Sequence, residues 1–211
     1  MKQQKTIYHL IVDKSGSMSD CIHLTINGFN EQLNKIKQLQ VEFPEQEITI
    51  GLTTFNHAIC HHFFQQPASA VRKLTEENYV PTGSTALLDA VGQSIREIEK
   101  IIQEQSHYAD ITVVAVIITD GYENASNIYR LDDIRRMIGR LEETGKWTFS
   151  FIGATLDAAE VAAQMAIKKD NSFAFDKSEM KSKVWDTLSM SMNSYMDKKR
   201  NKKDLGNFFD K

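Results

Sequence analysis

The chain has 211 residues, 41% apolar and 25% charged, the balance of a globular domain rather than of a disordered or collagen-like polymer. Its 25 Lys and Arg stand against 28 Asp and Glu, a net charge of −3, so no overall basic field exists to attract nucleic acid. Two cysteines, Cys21 and Cys60, are too few for a disulfide framework and suit a reducing compartment. The opening apolar run ends at Asp13, too short for a secretory leader or a membrane span, so the expected location is the cytoplasm, away from membranes.

Residues 6–12 (TIYHLIV) read as a buried strand, and over 20–40 Ile22, Ile26, Phe29, Leu33, Ile36 and Leu39 recur at helical spacing. Residues 47–55 (EITIGLTTF) form a second strand and 57–64 a third. The link between them is too short for a crossover helix, so the pair is a hairpin and the third strand an antiparallel edge. A polar stretch over 67–82 leads to a long helix marked by Leu88, Val91, Ile95, Ile98 and Ile102. The run 111–119 (ITVVAVIIT) is apolar and largely β-branched, as in a central strand covered on both faces. Ile128, Leu131, Ile134, Met137 and Leu141 give the next helix, stopped by Gly145. Then come a strand at 147–154 (WTFSFIGA), a short helix at 157–167, a last strand at 172–175 (SFAF) and a final helix at 178–199. In that helix Met180, Met190, Met192, Met196 and Trp185 are expected to pack on the sheet.

Strands alternating with helices predict an α/β, doubly wound, mostly parallel six-stranded sheet with one antiparallel edge strand and helices on both faces. In such sheets ligands bind beyond the carboxyl ends of the strands, where the strand order reverses. One domain spans 1–197, and 198–211 (KKRNKKDLGNFFDK) is set apart as a basic tail. Lys198, Lys199, Arg200, Lys202 and Lys203 read as a frayed, solvated helix end whose charge suits a helix C-terminus. A docking peptide built on Leu205, Phe208 and Phe209 is the sharper alternative. Nucleic-acid contact through this patch alone is expected to be weak and salt-sensitive.

Three loops at the ligand-binding end carry oxygen donors: Asp13-Lys14-Ser15-Gly16-Ser17, Gly83-Ser84-Thr85 and Thr119-Asp120-Gly121. Two carboxylates and several hydroxyls, with no Cys or His, form a hard set suited to Mg²⁺ or Mn²⁺ rather than Zn²⁺ or Cu²⁺. In an extended turn alternate residues share a direction, so Asp13, Ser15 and Ser17 converge while Lys14 and Gly16 point away. Gly16 is expected to allow a tight bend there. Taken alone, the same residues also read as a helix N-cap and turn, and Thr85 as the cap of the helix it precedes, with Ser84 the alternative hydroxyl.

Together, DKSGSM, GSTALLDA and ITDGYEN resemble the metal-ion-dependent adhesion site of the von Willebrand factor A domain family, which has a Rossmann-like fold. Asp13, Ser15, Ser17, Thr85 and Asp120 fill all five positions of the family pattern, and the likeness runs from about residue 5 to about 176. The run TDGYENAS is also similar to small stand-alone bacterial members. The resemblance implies that Ser15, Ser17 and Thr85 ligate a divalent ion directly, and Asp13 and Asp120 directly or through water. It implies Mg²⁺, with Mn²⁺ or Ca²⁺ as alternatives, and an open position for a Glu or Asp carboxylate of a partner protein. The function that follows is a metal-dependent protein–protein interaction module, a monomer in isolation and not an enzyme.

Two other readings compete. A Mg²⁺-dependent phosphoryl-transfer enzyme is disfavoured, because no GxxxxGK[ST] loop is present and the residue two beyond Asp13 is Ser15 rather than a second carboxylate. A scaffold that uses another surface is disfavoured by the filled motif. Nearby, Asp89 reads as a buried hydrogen-bonded carboxylate or a support for the site, and Glu123 and Asn124 as turn residues or a partner-facing rim. His57, Cys60, His61 and His62 look like a soft-metal cluster. A single strand, however, sends His57 and His61 to one face and Cys60 and His62 to the other, which favours ordinary edge-strand polarity.

Overall fold

The computed structural model describes residues 4–105, 110–154 and 158–209. Six strands, β1 (Gln4–Asp13), β2 (Gln46–Phe55), β3 (Ile59–Gln66), β4 (Asp110–Thr119), β5 (Trp147–Gly153) and β6 (Ser172–Ala174), form one sheet in the order β3-β2-β1-β4-β5-β6. β3 is antiparallel to β2, and the other pairings are parallel. This is the expected doubly wound sheet with an antiparallel edge. The helices are α1 (Ile22–Glu42), α2 (Leu87–Gln103), α3 (Leu131–Glu142), α4 (Ala158–Gln164) and α5 (Thr187–Arg200). Among the described residues, no helix is long and apolar enough to cross a membrane.

Alternation along the central strands divides the core into two layers. Tyr8, Leu10, Val12, Val114, Val116 and Ile118 join the layer under α1 and α5. Ile7, Ile11, Val113, Ala115 and Ile117 join the layer under α2, α3 and α4. Each fully buried Leu, Ile or Val contributes about 1.5–3 kcal/mol relative to exposure, so continuous apolar runs such as β4 hold the centre of the sheet. The strand order reverses between β1 and β4. Their register sets Val12 opposite Ile118, so Asp13 and Thr119 end side by side at the carboxyl edge.

Several expectations are corrected. The final helix is not one piece: a 3-10 turn at Lys177–Glu179 leads into a π-helical run at Met180–Asp186, and only then does α5 begin. Buried Met180, Val184, Trp185 and Leu188 recur at a spacing that either kind of helix satisfies. Met190 is 66% exposed instead of packing on the sheet, whereas Met180, Met192, Met196 and Trp185 are buried as expected. Ile128 stands outside α3 and is exposed. Asp89 accepts the backbone N–H groups of Asn127, Ile128 and Tyr129, which keeps that stretch from entering the helix. The expected start of the short helix at 157 lies outside the described residues.

The solvated, frayed reading of the tail is corrected in part: Arg200, Lys202 and Lys203 are exposed, and Lys198, Lys199 and Arg200 lie in the last turn of α5, but the end is not frayed. α5 continues through Lys199, whose side chain is buried, to Arg200, which pairs with Glu45 and lies over the Phe43 ring. Beyond it Phe208 and Phe209 are buried against Tyr195 and Phe173, and Asn171 anchors them through Phe208 N and Gly206 O. Leu205, Phe208 and Phe209 therefore dock on their own domain.

Candidate metal centre

The loop after β1 is extended at Ser15 and then winds into a 3-10 turn over Gly16–Cys21. Asp13 Oδ1 accepts Ser15 N (2.6 Å), and Asp13 Oδ2 accepts the Thr119 hydroxyl (2.6 Å). Ser15 Oγ lies 3.1 Å from Ser17 Oγ, and Ser17 Oγ donates to Asp120 Oδ1 (2.6 Å). Thr85 Oγ1, Ser17 Oγ and Asp13 Oδ2 all lie within 3.8 Å of the place where a Cβ on Gly121 would sit. The five expected site residues are thus brought together from three loops. Asp13, Ser15 and Thr85 are buried and Ser17 is exposed, so the cluster opens to solvent on the Ser17 side.

The helix-capping alternatives fail here. Ser15 precedes the 3-10 turn without a side-chain cap bond, and α2 likewise has none from its N-cap, Ala86. Its first N–H groups go instead to the loop after Asp120: Leu88 N donates to Glu123 Oε2 and Asp89 N to Ser126 Oγ. Glu123 also accepts Ala125 N and Ser126 N, and Asn124 accepts Thr85 N. Glu123, Asn124 and Asp89 are therefore the struts that fix Thr85 against Asp120. Ser84, the alternative hydroxyl, is exposed.

Gly16 is not in the left-handed region and has ordinary room for a Cβ, which corrects its expected role. Gly83 is the constrained one, at φ +75°, and its carbonyl accepts Gly16 N (3.0 Å), which ties the first loop to the second. Three further supports escaped the sequence reading. Tyr79, fully buried in the polar stretch, donates its hydroxyl to Asp13 O (2.6 Å). Asn56 in the β2–β3 turn donates to Thr82 O and accepts Ala86 N at its carbonyl. Lys177, from the 3-10 turn before the π-helical run, places its ammonium 2.5 Å from Asp120 Oδ2 and donates to Ser17 O. A deeply buried Tyr inside a polar segment and a lone Lys carry no pattern that marks them in a sequence.

Burial pushes the Asp13 carboxyl above its usual range; hydrogen bonds from Thr119 and Ser15 oppose this, and the Asp120 charge adds to it. Burial works to lower Lys177, yet Asp120 outweighs it and holds the ammonium above its ordinary value. Asp120 Oδ2 is buried, and the Lys177 ammonium is held against it as an ion pair. An all-oxygen set with two buried carboxylates, three hydroxyls and a cradle at Gly121 where oxygens from two other loops converge fits a hard divalent ion. Gly121 and Thr119 also border a cavity of about 250 Å³, which Leu87, Leu131, Phe151 and Met165 help line.

The histidine-rich edge forms no such centre. His57 lies in the hairpin turn rather than on β3, His61 bonds Thr53 and His62 bonds Thr54 from opposite faces, and Cys60 is exposed. Among the described residues, no three His, Cys, Asp or Glu side chains are grouped to hold an ion.

An α/β sheet whose switch point gathers Asp-x-Ser-x-Ser, Thr and Asp oxygens defines a class of domain. The sequence model of the von Willebrand factor type A domain matches residues 9–189, and the chain belongs to that family. Domains of this family are generally adhesion or interaction modules. No curated protein sequence matches the chain. Among solved structures it is similar to the vWF domain of the type V pili tip protein Mfa5 from Porphyromonas gingivalis (TM-score 0.58, 10% identity, covering 93% of this chain and 97% of that one). It is also similar to the manganese-loaded TRAP protein of Plasmodium vivax (TM-score 0.55, 14% identity, 86% and 71%). A third is proximal thread matrix protein 1 of the mussel byssus, with a zinc-occupied MIDAS motif (TM-score 0.53, 13% identity, 92% and 45%). The chain thus spans less than half of that mussel protein. At these identities the likeness establishes the fold.

Proposed function

We propose that the chain is a metal-dependent protein–protein interaction module, in which Asp13, Ser15, Ser17, Thr85 and Asp120 hold a Mg²⁺ ion, or Mn²⁺ or Ca²⁺ in its place. The observation that carries this reading is the convergence of Thr85 Oγ1, Ser17 Oγ and Asp13 Oδ2 around the Gly121 cradle, with Asp120 tied to Ser17. Three of the five donors are neutral hydroxyls, so the ion keeps a strong pull on an incoming anion. Its remaining position takes a Glu or Asp carboxylate of a partner, and exposed Ser17 marks the side of approach. The module works as a monomer and without turnover. Its unpaired cysteines, Cys21 and Cys60, suit the cytoplasm.

Thermal unfolding with Mg²⁺ or Mn²⁺ against EDTA tests the ion. Saturation at 100 times Kd is expected to stabilise the wild type by about 2.7 kcal/mol, and Asp120→Ala is expected to abolish the shift while remaining folded. A partner retained with Mg²⁺, released by EDTA and not held by Asp120→Ala supports the second half. Equal melting curves in metal and EDTA sink the reading.

A further inference from the structure

The Lys177 contact sits at a carboxylate oxygen of Asp120, one of the five proposed ligands. Asp120 has no exposed side-chain surface; its Oδ1 takes the Ser17 hydroxyl and its Oδ2 the Lys177 ammonium. The same ammonium donates to the Ser17 carbonyl and lies 3.8 Å from Asp20 Oδ2. It therefore bridges two of the three loops that supply the site. We infer that Lys177 is a built-in counter-cation of the metal centre, which a divalent ion must displace from Asp120 in order to bind. This inference rests on the metal reading above.

The physical argument is one of charge and space. Two carboxylates buried together repel each other and require a compensating cation. One ammonium supplies a single positive charge. A divalent ion supplies two at the same oxygen, and it cannot share that oxygen with an ammonium at contact distance without strong like-charge repulsion. Metal binding is thus an exchange of cations, and the affinity measured is lowered by the Lys177 contacts that must break.

The arm that carries Lys177 is firmly seated. Asp176 caps the 3-10 turn through Ser178 N and Oγ. Beyond it Met180 meets the Thr25 hydroxyl, the Trp185 ring fills the place of a Cβ on Gly28, and the Trp185 carbonyl accepts Gln32 Nε2. All three contacts are to α1. The lysine is consequently presented to Asp120 by a packed segment.

Isothermal titration of the full chain with MgCl₂ and with MnCl₂ tests this. Lys177→Met is expected to bind at least ten-fold more tightly than the wild type, and Lys177→Arg, which keeps the charge, to stay within about three-fold of it. A second measurement needs no variant. Amine-directed acetylation of the wild type, read by mass spectrometry, is expected to modify Lys177 slowly in EDTA and several-fold faster in saturating Mg²⁺. Equal or weaker binding by folded Lys177→Met, or unchanged Lys177 labelling on metal saturation, overturns the exchange and leaves the metal reading standing. Binding by neither wild type nor Lys177→Met overturns both.

Discussion

At the amino ends of β1 and β4 the Lys199 ammonium donates to Lys5 O (2.8 Å), Thr6 Oγ1 (2.9 Å) and Thr112 Oγ1 (2.8 Å). At the carboxyl ends of the same two strands the Lys177 ammonium meets the Asp120 carboxylate and the Ser17 carbonyl. Both lysines come from one C-terminal segment. Its 3-10 turn, π-helical run and α5 span about 36 Å at helical rise, close to the length of ten-residue strands of about 33 Å. The amino end meets its lysine with neutral oxygens, and burial pushes Lys199 down to about 8 against an opposing pull from Asp110. The carboxyl end concentrates two carboxylates on one lysine. A cation whose direct contacts are all neutral oxygens, with Asp110 acting only at longer range, closes an end of the sheet, whereas carboxylates in excess of their internal cation leave attraction for another.

The largest expected effect concerns the closed end. Lys199 has a folded value of about 8 against an ordinary 10.5, so between those values the unfolded chain holds the extra proton and stability rises with pH. At about 1.4 kcal/mol per unit the gain is on the order of 3 kcal/mol. Cys21 and the buried tyrosines are pushed upward and work in the opposite direction above pH 9. The Lys199 contribution is therefore read as the difference between wild type and Lys199→Met. Urea unfolding from pH 7.5 to 10 is expected to show the wild type gaining on the variant, with the same metal affinity in both. Parallel profiles break the comparison, and a changed affinity shows that the two ends are coupled.

The next effect tests how tightly the open end is fixed. Gly83 has φ +75°, and a Cβ there would lie 2.3 Å from His57 Nδ1. Gly83→Ala is expected to cost about 1–3 kcal/mol from backbone strain together with displacement of the His57 ring. Removing the ring in the double variant with His57→Ala isolates the backbone share, which is expected to be about 1 kcal/mol. Thermal unfolding in EDTA measures both. A single variant as stable as the wild type shows that the second loop is slack and that the site oxygens are not held in advance.

How much of this was legible follows the range of the forces involved. Strand alternation, the hairpin link and each oxygen-bearing loop are set by residues close together in the chain, and the sheet came from them; that Asp13, Ser15, Ser17, Thr85 and Asp120 belong to one site came from the likeness of three separated motifs to one family pattern. Ile128 keeps helical spacing with Leu131, but the decision was made by Asp89, 39 residues away, which accepts its N–H. Tyr79 sits in a polar stretch and is buried only because the loop folds under Asp13. The lysines were hardest to read. A long flexible stem ends wherever packing takes it, so nothing marks Lys177, and Lys199 reads as part of a frayed end, until the C-terminal segment is laid across the sheet.

The smallest expected effect probes the cradle itself. A methyl group on Gly121 would stand 3.2 Å from Thr85 Oγ1, 3.5 Å from Ser17 Oγ and 3.8 Å from Asp13 Oδ2. Only the first of these is tighter than an ordinary contact, and Gly121 is not in the left-handed region, so the fold absorbs the change with a shift of a few tenths of an ångström. That shift falls on a hydroxyl that the ion is expected to use, and the methyl narrows the space between donors from all three loops. Gly121→Ala is therefore expected to leave the melting temperature in EDTA within about 1 °C, equivalent to under 0.5 kcal/mol, while weakening Mg²⁺ three- to ten-fold, about 1 kcal/mol. Titration calorimetry beside a melt in EDTA separates the two quantities. Full-strength binding by Gly121→Ala places the ion elsewhere among these oxygens, and a large loss of stability shows that the carboxyl end is packed as tightly as the amino end, which removes the contrast between them.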